Sequence, residues 1–142
     1  MKKKILFITG TRADFGKLKP LLCSLEKSKN FNLHIFVTGM HLMQKYDYTY
    51  HEIENTGFRN IYKFINQNND DSMAQILSKT ISGFNDYVKE NTPDLVVVHG
   101  DRVETLGIAS AACLNNILVA HIEGGEVSGT VDEMMRHATS KL

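Results

Sequence analysis

The sequence has no excess of either charge. Sixteen Lys and Arg residues balance sixteen Asp and Glu residues, so the formal net charge is zero with neutral histidines. Proteins that bind nucleic acid or an anionic membrane over a broad surface are normally rich in Lys and Arg. The composition therefore argues against both as the main partner, and any anionic ligand must be held by a few placed groups.

Long apolar runs are also missing. No run exceeds about five residues, whereas a helix that crosses a bilayer needs about 20. The basic start at residues 1–5 is similar to a signal peptide, but the polar residues 9–12 interrupt the apolar stretch and no small-residue cleavage site follows. We therefore expect a cytoplasmic protein without a membrane segment.

Cysteine is scarce. Cys23 and Cys113 are the only two, and both have apolar neighbours in segments that are expected to be helical. Free cysteines in such surroundings behave as small hydrophobic residues, and their number and spacing favour neither a disulfide nor a metal site. We predict two buried free thiols.

The chain does contain an alternation of short apolar segments with amphipathic ones, and no linker divides it. We therefore treat residues 1–142 as one domain. The apolar segments are continuous rather than alternating, which is typical of strands that are covered on both faces. We predict strands at residues 5–8, 33–37, 60–65, 95–98 and 117–120.

Helical periodicity separates these strands. The clearest helix follows Ser72, which forms a capping-box pattern with Gln75. Pro20 fits the first helix if that helix begins near Gly16, because first-turn N–H groups have no partner in the helix. We predict helices at residues 16–25, 41–46, 73–88, 103–115 and 132–142, the last of which has no closing cap before the sequence stops.

This alternation predicts an α/β fold, a doubly wound, Rossmann-like parallel sheet with the strand order 3-2-1-4-5. In such sheets ligands bind beyond the carboxyl ends of the strands, where the strand order reverses. Reactive side chains are concentrated in the four segments that follow strands there, at residues 10–17, 38–41, 99–104 and 121–126. The sequence therefore predicts a binding site at this edge of the sheet.

The segment after the first strand lacks both common phosphate-binding signatures. It is not G-x-G-x-x-G, and its lysine has neither the spacing nor the following Ser or Thr of a P-loop. It does offer the backbone of Gly10, a helix start, and the cations Arg12 and Lys17, all of which suit phosphate or carboxylate oxygens. The alternative is structural: Arg12 pairs with Asp14 or another acid, and Lys17 is solvated.

Three carboxylates are candidates for acid–base work: Asp101, Glu123 and Glu133. Asp101 could instead cap the helix that follows it, and Glu133 could stabilise the first turn of the last helix. Glu123 is followed by two glycines, which provide no cap and bring the backbone close to whatever this side chain faces. Together on one edge, the three form a plausible acid–base set.

Histidines precede two of these carboxylates by two positions. His99 with Asp101 and His121 with Glu123 could each face one way from a strand and converge on a cation. No cysteine ligand or established metal spacing supports that interpretation. We favour histidines that orient the carboxylates, and we expect no metal.

Four motifs together resemble one family. They are Gly-Thr-Arg-Ala-Asp-Phe-Gly-Lys at residues 10–17, His-Gly-Asp-Arg at 99–102, His-Ile-Glu-Gly-Gly-Glu at 121–126 and Asp-Glu-Met-Met-Arg-His at 132–137. In order and spacing they resemble the UDP-N-acetylglucosamine 2-epimerase family across the whole chain. The methionine pair in the last motif departs from the family pattern but leaves Glu133 and Arg136 in place.

The resemblance is to the hydrolysing branch of that family. The non-hydrolysing branch usually has Pro-Glu after the first Arg, Thr after His-Gly-Asp, and Ala-Gly-Leu-Arg after the fifth-strand Glu. This chain has Ala-Asp, Arg102 and Gly-Gly-Glu at those places.

The resemblance implies the N-terminal domain of a two-domain, glycosyltransferase-B-type fold, whose UDP-binding C-terminal domain lies beyond this chain. The chain alone would then be inactive. The implied reaction converts UDP-N-acetylglucosamine and water to N-acetylmannosamine and UDP, by anti elimination through a 2-acetamidoglucal, for sialic-acid-type sugars or capsule polysaccharide. It needs no cofactor, and a homo-oligomer is expected of the full-length protein.

The resemblance also implies roles for individual residues. Asp101, Glu123 and Glu133 match the family's catalytic carboxylates. The residues expected to bind substrate are Gly10, Arg12, Lys17, Arg102 and Arg136.

Three alternatives stay open. A related epimerase would act on a UDP-4-acetamido-6-deoxy sugar. A glycosyltransferase of the same architecture would transfer the sugar to an acceptor instead of releasing it. A flavodoxin-like binding module would be stable as a single domain and would leave the grouping of carboxylates as coincidence.

Overall fold

The computed structural model describes residues 1–142 as a five-stranded sheet flanked by helices. All strand pairs are parallel, and the order is β3-β2-β1-β4-β5, which confirms the predicted fold class and order. The strands are β1 (Lys3–Thr9), β2 (Phe31–Val37), β3 (Ile61–Lys63), β4 (Leu95–His99) and β5 (Leu118–Ile122).

Five α-helices connect or follow the strands. They are α1 (Arg12–Glu26), α2 (Tyr50–Glu54), α3 (Met73–Glu90), α4 (Val103–Leu114) and α5 (Val131–Ser140), with short 3₁₀ turns at Gly39–Leu42 and Gln44–Tyr46. None of them combines the length and the apolar composition needed to cross a bilayer.

The sheet is buried on both faces, which explains the continuous apolar strands. Successive side chains of a strand point to opposite faces, so Leu6 packs with Phe84 of α3 and Ile108 of α4, whereas Phe7 packs with Leu18 of α1. Gly107 also lets α4 approach α3 closely, since a Cβ there would lie 3.1 Å from Thr80.

The first helix begins earlier than predicted. Thr11 caps it: its hydroxyl accepts from the Asp14 N–H at 3.1 Å, and the Asp14 carboxylate accepts from the Thr11 N–H at 3.1 Å. This capping box extends the helix back to Arg12 and leaves Pro20 inside it. The predicted start near Gly16 was therefore wrong, because it was chosen to keep Pro20 in the first turn and overlooked the capping box.

Other expectations also need correction. The prediction that both thiols are buried was wrong, because Cys113 is exposed and Cys23 is only half-buried. Both thiols are free, as predicted. The last helix spans Val131–Ser140, so it begins one residue earlier and ends two residues earlier than predicted. The third strand is limited to Ile61–Lys63, shorter than predicted.

Candidate active site

The predicted site residues lie around the carboxyl ends of β1, β4 and β5. The strand order reverses between β1 and β4, since β1 continues to β2 on one side and β4 continues to β5 on the other. Helices α1 and α4 start directly beyond this point. Two groups of titratable side chains occupy the edge.

The first group, the Glu123 cluster, consists of Asp14, Lys17, His99 and Glu123. The Lys17 ammonium lies 3.0 Å from both oxygens of the Glu123 carboxylate. His99 Nε2 lies 3.1 Å from Glu123 Oε2, and His99 Nδ1 lies 3.0 Å from Asp14 Oδ1. Residues from α1, β4 and the segment after β5 thus meet in one chain of contacts.

The backbone around Glu123 is unusual. Glu123 has φ of 57°, a left-handed conformation that side chains other than Gly, Asn and Asp rarely adopt. Gly124 beside it leaves room for these neighbours, because a Cβ there would come within 2.5 Å of Ser140 Oγ and 2.7 Å of His121 Nδ1 and would displace those side chains. This turn ends the strand and directs Glu123 to His99 and Lys17.

Glu123 and Lys17 stabilise each other's charged forms. The hydrogen bond from Lys17, helped by its charge and by His99, holds the pKa of Glu123 below its ordinary value. The same contact raises the pKa of Lys17. Both side chains remain accessible, with 36% of Glu123 and 59% of Lys17 exposed, so a ligand could reach either group.

Asp14 fixes the base of this cluster. One of its oxygens accepts the N–H groups of Gly10 and Thr11 at 3.3 and 3.1 Å, and the other faces His99. The Gly10 amide, which the sequence offers to a substrate, therefore donates within the chain in this structure. The sequence analysis missed the role of Asp14, although the Thr-x-x-Asp spacing of a capping box could have revealed it.

The second group, the Asp101 cluster, consists of Asp101, Glu133 and Arg136. Arg136 is 4% exposed and donates to Asp101 Oδ2 at 2.5 Å and to the Glu126 carbonyl at 2.6 Å. Its contact with Asp101 raises the pKa of Arg136. Arg136 was expected to bind substrate; in this structure it binds the Asp101 carboxylate, and its contact with substrate stays a prediction.

The structural alternative is wrong for Asp101 but stands for Glu133. Asp101 does not cap α4, because the capping position is Arg102 and no side chain caps that helix. Glu133 lies in the first turn of α5, where it accepts the Gly129 N–H. A structural role for Glu133 therefore stands beside the catalytic one.

The two remaining predicted cations pair with other acids. Arg12 is exposed and lies 3.0 Å from Glu52 of α2, which agrees with the structural alternative that it pairs with an acid. Arg102 Nε lies 3.1 Å from the buried Glu104. Arg12 also borders an open cleft of about 380 Å³ between the start of α1 and the segment that contains Tyr46.

The second histidine does not face the carboxylate that follows it. Strand β5 ends at Ile122, so the two-residue periodicity does not extend to Glu123. The two ring nitrogens of His121 lie 2.6 Å from the Gly100 carbonyl and 2.7 Å from Ser140 Oγ. No group of three His, Cys, Asp or Glu side chains is arranged to hold a metal ion.

Comparison with known proteins identifies a family. The sequence model of the family described as UDP-N-acetylglucosamine 2-epimerase matches residues 23–142. The UDP-N-acetylglucosamine 2-epimerase of Neisseria meningitidis serogroup B is 49% identical over 140 residues, covering 99% of this chain and 37% of that protein. The hydrolysing UDP-N,N'-diacetylbacillosamine 2-epimerase of Legionella pneumophila is 44% identical over 145 residues, covering 100% of this chain and 38% of that protein.

A solved structure agrees with these relatives. The crystal structure of UDP-GlcNAc 2-epimerase from Neisseria meningitidis, bound to UDP-GlcNAc, superimposes with a TM-score of 0.83 at 27% identity, covering 97% of this chain and 38% of that one. The chain thus spans little more than a third of the length of the proteins it matches.

Proposed function

The chain belongs to the UDP-N-acetylglucosamine 2-epimerase family, and on that premise we propose that it is the N-terminal domain of a hydrolysing UDP-sugar 2-epimerase. The full-length enzyme converts UDP-N-acetylglucosamine and water to N-acetylmannosamine and UDP, which serves sialic-acid-type sugar biosynthesis. A UDP-binding C-terminal domain completes the glycosyltransferase-B-type cleft, and the 142-residue chain alone is inactive. A cytoplasmic location and a homo-oligomeric state stay predictions.

The observation that carries this proposal is that two carboxylates, each bound by a cation, follow neighbouring strands at the carboxyl edge of the sheet. Glu123 is held by Lys17, and Asp101 by Arg136. Epimerisation at C2 requires one group that removes a proton and another that returns one on the opposite face. Two carboxylates that are bound by different cations at one edge provide such a pair. Glu133, which accepts the Gly129 N–H, is the third candidate.

The departing UDP also needs compensation for its negative charge. Lys17 and Arg12 are exposed at the start of α1, where backbone dipoles favour anions. In the resting structure both cations are neutralised by exposed glutamates. Exposed ion pairs contribute little stability, so substrate phosphates can replace these partners at small cost.

The Legionella relative supports a second substrate. Its name assigns it UDP-N,N'-diacetylbacillosamine, a 4-acetamido-6-deoxy sugar, and it is 44% identical to this chain. The same carboxylates would serve that substrate, because both sugars carry an acetamido group at the carbon that is inverted.

The test uses the full-length protein and both UDP-sugars in deuterated water, followed by proton NMR. We expect UDP and free N-acetylmannosamine that carries deuterium at C2. A product that retains UDP would assign the non-hydrolysing reaction. Turnover of the diacetylbacillosamine derivative alone would assign the second substrate, and turnover of neither would contradict the proposal in favour of a transferase or a binding module.

A further inference from the structure

His99 is the least satisfied group of the candidate site. Its side chain is 7% exposed, and its Nε2 atom is buried without a hydrogen-bond partner. Glu123 Oε2 is 3.1 Å from that atom but outside the alignment of a hydrogen bond, so the accessible Glu123 carboxylate has to turn before a proton can pass between them. A buried polar atom without a partner is costly, so this position needs a physical explanation.

The contact at His99 Nδ1 determines which ring nitrogen is protonated in the neutral histidine. Asp14 Oδ1 lies 3.0 Å from His99 Nδ1, and a carboxylate can only accept there. The second Asp14 oxygen is bound by the N–H groups of Gly10 and Thr11, which prevents this carboxylate from turning away. His99 therefore carries a proton on Nδ1.

In the neutral ring this tautomer leaves a lone pair on Nε2, which faces the Glu123 carboxylate. Two acceptors 3.1 Å apart repel each other unless a proton lies between them. We propose that Asp14, His99 and Glu123 form a proton relay in which Asp14 fixes the ring and His99 exchanges one proton with Glu123. His99 is then a positioning residue for a catalytic carboxylate.

The relay balances within one turnover, and it rests on the proposed function. The donating form of His99 carries protons on both ring nitrogens and faces an ionised Glu123. When C2 of the sugar is protonated, the Nε2–H bond breaks with its electron pair left on nitrogen, an Oε2–H bond forms, and that bond breaks in turn as the C2–H bond forms. Solvent then protonates the accessible Glu123 carboxylate, which passes the proton back to Nε2. If Glu123 instead takes the C2 proton, the same transfer runs in reverse, and no other reactant is needed.

The charged neighbours of the relay are few. Helix α1 contributes Asp14 and Lys17, and the segment after β5 contributes Glu123 itself, while Glu126 acts on Lys17. From the β2 side, the buried His41 lies in the field of Asp14. Any pH dependence of the relay must be separated from these groups.

The first experiment compares His99→Asn and His99→Gln in the full-length enzyme. Asparagine can retain the donor that faces Asp14, and glutamine can place an amide near Nε2, but neither can pass a proton. We expect kcat to fall by roughly 10²-fold in both, with KM changed by less than about threefold. We also expect one limb of the pH–kcat profile to disappear.

His34→Gln is the matched control. His34 also has a buried Nε2 without a partner, but no carboxylate faces it. This variant should retain the wild-type pH profile. An unchanged profile shape in the His99 variants, with kcat and KM altered together, would show a purely structural histidine and overturn the relay.

A second readout does not depend on turnover. Nitrogen-15 NMR of the full-length protein should show His99 protonated on Nδ1, with an Nε2 resonance that moves in Glu123→Gln. A ring protonated only on Nε2 would overturn the relay. If wild-type protein converts neither UDP-sugar, the proposed function fails, but this measurement still decides whether His99 and Glu123 share a proton.

Discussion

The two carboxylate clusters at the edge of the sheet differ in what holds them. Asp101 is bound by a guanidinium that is 4% exposed and has a second contact with the Glu126 carbonyl. Glu123 is bound by an ammonium that is 59% exposed and faces a buried imidazole that lacks a second partner. The first carboxylate has a fixed partner, whereas the second can exchange both its cation and its proton.

This difference matters for the chemistry proposed here. A carboxylate that is fixed to arginine keeps its direction, because arginine presents a rigid fork and does not lose its proton. A carboxylate between lysine and histidine can change its protonation state when a substrate draws the lysine away. The second arrangement suits a group that both takes and gives a proton.

The largest effect is expected from Glu123→Gln. The amide keeps the size and can still accept from Lys17, but it cannot exchange a proton. We expect kcat for sugar release to fall by about 10²- to 10⁴-fold. Glu90→Gln is the control, since Glu90 is an exposed residue at the end of α3. A variant that keeps more than a third of the wild-type rate would remove Glu123 from the chemistry.

The next largest effect is expected from Arg136→Lys in the Asp101 cluster. Lysine keeps the charge but cannot reproduce the planar contacts with Asp101 and the Glu126 carbonyl. We expect kcat to fall by about tenfold through loss of the Asp101 orientation, with the chain still folded by circular dichroism.

Arg59→Lys provides the comparison for that variant. Arg59 is exposed and pairs with Glu26 far from the strand ends, so the same exchange should leave kcat unchanged. Equal kcat values for both variants would show that Asp101 does not depend on the guanidinium, and the contrast between the two clusters would lose its basis.

A smaller effect is expected at Lys17. Because the Lys17 hydrogen bond and charge hold the pKa of Glu123 low, Lys17→Met should raise that pKa. Carbon-13 NMR of the labelled Glu123 carboxyl measures this directly, without substrate. Lys19→Met, an exposed change on the same helix, should leave the titration where it was. An unmoved titration in Lys17→Met would mean that His99 alone controls Glu123.

Much of the fold could be predicted from hydrophobic patterns. Continuous apolar strands and intervening helices predicted the parallel sheet, and the order 3-2-1-4-5 was confirmed. The boundaries were less certain where two local signals compete. At the first helix, Pro20 indicated a late start, but the capping box of Thr11 and Asp14 determined an early one.

The site could be predicted only at the level of strand ends. The sequence brought Lys17, His99 and Glu123 to one edge, but not into contact. Strand periodicity would have paired His121 with Glu123, and the left-handed turn at Glu123 breaks that periodicity. Similarly, no local pattern links Asp101 to Arg136, because their contact depends on how α5 packs beyond β5.

The smallest expected effect concerns the buried wall behind the Glu123 cluster. His41 is completely buried, with Nε2 2.9 Å from Thr9 Oγ1 and Nδ1 2.8 Å from Thr49 Oγ1. Burial lowers the pKa of His41 to about 4. In the unfolded chain the pKa of histidine is about 6.5. Between these two pKa values the unfolded chain binds a proton at His41 that the folded protein does not bind.

The sign of the stability change follows from that order. Above pH ~6.5 His41 is neutral in both states and has no effect, whereas between pH ~6.5 and ~4 it lowers the free energy of unfolding by about 1.4 kcal/mol per pH unit. Carbon-13 NMR of the His41 ring should therefore show no titration between pH 8 and 5. A midpoint near pH 6.5 would contradict its burial and would make His41 a second source of pH dependence beside the relay. Without such a titration, His41 is excluded as a source of any activity change above pH 5, because it stays neutral behind the Glu123 cluster.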